Sequence, residues 1–80
     1  MGLAKNETEL ADRASRFLKA ELKRANITYA ELGARLKKHG LPDETENGIK
    51  SKLARGTFAA TWFLAVLAAL ELEGVRLEDL

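Results

Sequence analysis

Near the middle of this 80-residue chain, the stretch ENGIKSKLARG gathers side chains suited to reading a nucleic acid. On a helix with Ile49 and Leu53 turned inward, Glu44, Asn47, Ser51 and Ala54 face outward, flanked by Lys50 and Arg55. Asn47 offers the paired donor and acceptor that match an adenine edge, and Lys50 or Arg55 reaches guanine or a phosphate. Small Ser51 and Ala54 would let the helix approach a groove closely. Lys52 adds a further cation to the set. Asp43, Glu44 and Glu46 oppose this reading at the leading end of the helix, where they would repel phosphate. Acids there also complement the helix dipole, at about 0.3–1 kcal/mol each, so capping explains them equally well.

Other chemistries lack their parts. With no cysteine there is no disulfide framework, thiolate metal site or sulfur nucleophile. His39 is the sole histidine and stands beside Lys37 and Lys38, at a helix end that favours a cation anyway. The acids Glu7, Asp12, Glu21 and Glu31 interleave with Arg and Lys at helical spacing, the pattern of a solvated face. No glycine loop cradles a phosphate, and no nucleophile has a recognisable base. The expectation is a protein that is not an enzyme, with no cofactor, no metal and no small-molecule substrate.

Four helices must position these residues. The first runs from about Glu7 to Ala25 on the stripe Leu10, Ala14, Phe17, Leu18, Leu22 and Ala25, with Asn26 as its left-handed terminator. The second spans Tyr29 to about His39. Thr28 and Glu31 form a capping box before it, and Gly40 ends it. After Leu41-Pro42 the third runs from about Glu44 to Arg55, stopped by Gly56. The fourth begins at Thr57 or Phe58 and reaches about Leu70. Gly33 falls inside the second helix, where it costs about 1 kcal/mol relative to alanine. A close crossing by the third helix accounts for it, since a larger side chain would hold the two apart.

The same residues carry a family resemblance. ELKRANITYAELGARL resembles the first two helices of the phage-repressor and Cro-like DNA-binding domains: Thr28 and Leu32 match, Gly33 takes the alanine place and Tyr29 replaces the usual Gln. KSKLARG is similar to the end of that family's recognition helix, and LAALELEGVRLEDL to its fourth helix and ending. From Leu32 to Ile49 the chain is longer than that pattern by about six residues, the extra lying in KKHGLPDE. Over residues 12–77 it more closely resembles a small bacterial family of domains of unknown function, numbered 6471, whose fold is repressor-like. The resemblance implies an all-α, compact four-helix helix-turn-helix domain. With it come a DNA-contact set of Tyr29, Asn47, Lys50, Ser51, Lys52 and Arg55, and double-stranded DNA as partner.

Composition bounds the rest. A chain of 80 residues forms one domain, here residues 7–80 after a flexible N-terminus at 1–6. At this size burial is marginal, and oligomerisation is a common remedy. Residues 1–40 carry nine Lys or Arg against five acids, whereas residues 57–80 carry one Arg against four, so a basic front hides behind a net charge of +1. From Phe58 to Leu70 only Thr61 is polar, yet these 13 residues fall short of the roughly 20 that span a bilayer. Phe63, Val66, Leu67 and Leu70 are expected in the core, and Thr61, Ala65, Ala68 and Leu72 on the opposite face. That leaves a homodimer interface expected at Trp62, Ala65, Ala68, Val75 and Leu77, with Val75 to Leu77 as a short C-terminal strand. The leading segment has no apolar run of the secretory kind, so a cytoplasmic protein is expected. Two functions follow: a homodimeric sequence-specific transcriptional regulator, or an interaction module of the same fold that binds protein instead of DNA.

Overall fold

Asn6 accepts the Glu9 amide at 2.9 Å and opens α1, Glu7–Ala25, in the computed structural model, which describes residues 2–80. Met1, the first residue of the expected flexible N-terminus, lies outside the described residues. Asn26 ends the helix at φ 57°, and Ile27 and Asn26 donate to the carbonyls of Leu22 and Lys23. Those are the paired bonds of a Schellman stop. The capping box then starts α2, Tyr29–Leu36, with both of its hydrogen bonds at 3.1 Å. The expected extension to His39 becomes a separate 3₁₀ turn, Lys37–His39, closed by Gly40 at φ 93°.

The next helix starts later than its acids indicate. α3 is Glu46–Arg55, capped by Thr45, whose hydroxyl accepts the Gly48 amide at 2.9 Å. Glu44 stays outside the helix because its carboxylate is engaged elsewhere. α4, Ala60–Ala69, also starts late and has no side-chain cap. A hydrophobic staple fixes its start instead: Phe58 stacks on Phe63 with ring centroids 6.0 Å apart and meets Trp62 at 4.8 Å. After α4 the chain makes a short 3₁₀ turn at Leu77–Asp79, and no strand occurs among the described residues. The Val75–Leu77 strand is thus corrected: a lone alternating pair has no partner strand to receive its backbone hydrogen bonds.

The four helices enclose one core. Leu18, Leu32, Leu36, Ile49, Leu53 and Val66 are fully buried. α3 packs on α1 and α2, and α2 packs on α4. Two polar side chains serve helix ends within this packing. Ser15, buried on α1, donates its hydroxyl to the Leu53 carbonyl in the last turn of α3. Arg35 donates to the Ala69 carbonyl at 3.0 Å, satisfying the end of α4. Ser15 rotates the inner face of α1 away from the expected stripe, so Leu10 is 43% exposed and Ala25 is exposed.

α4 is rotated as well. Val66 and Leu70 are buried as expected, but Trp62, Ala65 and Ala69 are buried with them, while Phe63 and Leu67 are only half-buried. Trp62 and Ala65 therefore have no free surface for a second subunit. Of the other residues expected at an interface, Ala68 and Leu77 are exposed and Val75 is half-buried. No helix among the described residues is long and apolar enough to cross a membrane.

Candidate functional site

Burial of Ile49 and Leu53 on one side of α3 fixes what the other side shows. Asn47, Lys50, Ser51, Ala54 and Arg55 are all exposed. Asn47 stands in the first turn, one turn before Lys50 and Ser51, and Arg55 follows in the last. Arg55 Nη1 donates to Ser51 Oγ at 3.1 Å, which lays the guanidinium along the helix and leaves its remaining donors pointing to solvent. The row combines two short hydrogen-bonding side chains with a cation at each flank.

Lys52 does not belong to this row. Its ammonium donates to both Glu44 oxygens, at 2.8 and 3.1 Å, and sits 5.6 Å from the centre of the Trp62 ring. The Glu44 side chain is only 10% exposed and that of Lys52 30%. This ion pair ties the end of the long turn to α3 and to α4. It also matches one of the three acids that weigh against a polyanion at this end of the helix. Asp43 and Glu46 remain exposed there. Tyr29, at the first position of α2, is half-buried against the core.

A cation from α1 joins the face. Lys19 and Arg55 line a cleft of about 420 Å³ with Ser15, Ala54 and Thr57, where α1 crosses the end of α3. Asp12 borders the same cleft and pairs with Arg16 at 3.1 Å. Lys19 falls outside the apolar stripe of α1, and helical spacing alone could not join it to α3, because that neighbourhood depends on the Ser15–Leu53 contact. A larger cleft, about 820 Å³, lies between α1 and the C-terminal turn. Charges of both signs line it, including the Arg24–Glu21 pair at 2.7 Å. Among the described residues no group of three or more His, Cys, Asp or Glu side chains converges on one point.

The family model described as a domain of unknown function, DUF6471, matches residues 10–75. The chain belongs to the DUF6471 family. The matched span of this DUF6471 chain runs from α1 through all of α4, so the outward face of α3 and Lys19 both lie within the family's own domain. No curated protein and no solved structure matches the chain.

Proposed function

We propose that this DUF6471 protein binds double-stranded DNA in a sequence-specific manner, as a small cytoplasmic transcriptional regulator of the helix-turn-helix type that reads the major groove with α3. The observation that carries this reading is the exposed row of Asn47, Lys50, Ser51 and Arg55, backed by two fully buried anchors and extended by Lys19. A helix of ten residues is about 15 Å long and fits a groove about 12 Å wide. Pairing of Glu44 with Lys52 supports it, because it lowers the repulsion at the leading end of α3. So does the likeness of ELKRANITYAELGARL to repressor-like domains.

Fluorescence anisotropy with a labelled duplex of mixed sequence, at about 50 mM salt where phosphate contacts are strongest, tests the reading. Binding is expected by tens of micromolar protein, a range in which even non-specific binders register. Its absence overturns the DNA reading. Once a preferred sequence is selected, Asn47→Ala should cost about 1–3 kcal/mol on that sequence and little on random DNA. The exposed acids Asp43 and Glu46 favour a second reading, in which the same surface docks a basic protein. Failure to bind any duplex would put that reading in its place.

A further inference from the structure

α4 has an outer side with nothing on it. Ala60, Thr61, Leu64 and Ala68 are exposed, and Leu64 is 63% exposed. Beside the first turn of this helix, a cleft of about 420 Å³ opens between α1 and α4. Ala11, Ala14 and Ala60 form its small-residue walls, while Leu10, Phe58 and Phe63 supply its apolar bulk. Among the described residues Glu7 is the one charged residue on its rim.

We propose that this cleft and the outer side of α4 form a single docking face for a second copy of the chain. The protruding Leu64 lies one turn beyond Ala60, which lines the recess, and next to Phe63, which does too. Knob and recess therefore share one face, as a two-fold contact requires, because each copy must present both. A two-fold axis between Ala60 and Leu64 sets each Leu64 against the partner's Ala60, at the mouth of the recess, where small side chains allow the two helices to approach closely.

Charge selects the same occupant. No charged residue occurs from Thr57 to Leu70. An ionic partner surface would be stripped of water along α4 without gaining a counter-charge, whereas a second copy brings the same uncharged helix, with Glu7 left at the rim of the cleft. Area sets the extent of the contact. A standard interface takes about 800 Å² from each partner, roughly one-seventh of the 5610 Å² this chain exposes. α4 alone, about 15 Å long, is too short to supply that, so the α1 wall of the cleft has to take part. With Leu64 as its one protruding anchor the face holds few hot spots, which puts the dimer in the micromolar range, at the weak end for such contacts.

Sedimentation equilibrium without nucleic acid tests the inference, which stands apart from the DNA reading and survives or fails separately. Over about 5–500 µM protein, the mass should rise from one 8.8 kDa chain towards two. Leu64→Glu should weaken association at least about tenfold, because it buries an unpaired carboxylate, and Ala60→Glu should act likewise. Both sites are exposed in the single chain, so thermal melts at low concentration should match the wild type. Leu77→Glu, on the separate C-terminal turn, should leave association intact. A wild-type monomer throughout the range overturns the proposal. So does a dimer that withstands both α4 variants, or one that only Leu77→Glu dissociates.

Discussion

At Gly33 a Cβ would stand 3.6 Å from Ile49 Cδ1 and 3.7 Å from the Glu44 carbonyl, which is ordinary contact distance. Gly33→Ala therefore fits and should stabilise by up to about 1 kcal/mol, the usual cost of a mid-helix glycine. Gly33→Leu must displace the fully buried Ile49 and should cost about 1–3 kcal/mol. Gly56 behaves differently. Its φ of +72° disfavours any side chain, and a Cβ would run into the Ala11 carbonyl on α1. Gly56→Ala should cost about 2–4 kcal/mol from backbone strain and overpacking together. Thermal melts of the three variants should rank Gly33→Ala first and Gly56→Ala at or near the bottom; equal melting of Gly56→Ala and wild type would remove the close approach. Glu31 supplies a pH test. Its hydrogen bonds from the Thr28 backbone and side chain hold its carboxyl below the ordinary glutamate value. A depressed folded value means that the cap's contribution is complete above the unfolded pKa, about 4.3, and is lost as pH falls through the folded one. Carbon NMR should show Glu31 titrating low, and Thr28→Ala should bring it only part of the way back, because the backbone amide at position 28, the larger cause, remains. The capping box and Asn26 were legible in the sequence because each acts within a few residues. The close approach at Gly56 was not, since it joins two distant segments.

Between elements, the ion pair of Glu44 and Lys52 decides where α3 begins and what it presents. Helical phasing from Ile49 and Leu53 correctly set Asn47, Lys50, Ser51 and Arg55 outward, because α3 alternates polar and apolar residues. It gave no hint that Glu44 leaves the helix to meet a lysine, as one partner sits in a turn. α4 shows the opposite limit. A helix that is apolar all round has no phase to read, so the buried Trp62 and Ala65 were indistinguishable from the exposed Leu64 and Ala68. Lys52→Met should destabilise by about 1–2 kcal/mol by stranding a mostly buried carboxylate, with partial hydration limiting the loss. Adding Glu44→Gln should recover much of it, since the remaining amide carries no charge. Chemical denaturation of the two single variants and the double measures the coupling. Additive losses would show that the pair is incidental to the fold.

Along the sequence the charges separate, with nine Lys or Arg against five acids in residues 1–40 and four acids against one Arg in residues 57–80, but the fold brings Asp79 of the acidic end back beside Arg13 and Arg16 of α1. Attraction of a polyanion therefore depends on cations grouped on one face and not on the net charge of +1. On the proposed face three cations are exposed: Lys19 from α1, and Lys50 and Arg55 from α3. If each neutralises one phosphate, log K should fall against log salt with a slope of about −2.7 per chain, and of about −5 where two chains bind together. Lys19→Ala and Lys50→Ala should each reduce the slope by about one per chain and weaken selected and random duplexes alike. Lys52→Met should leave the slope unchanged, because its ammonium is already held by Glu44 over the Trp62 ring. Anisotropy titrations across about 50–200 mM salt read all of these values from one series. A slope that drops with Lys52→Met but not with Lys50→Ala would place the phosphates against the turn and α4, and α3 would then not be the element that enters the groove.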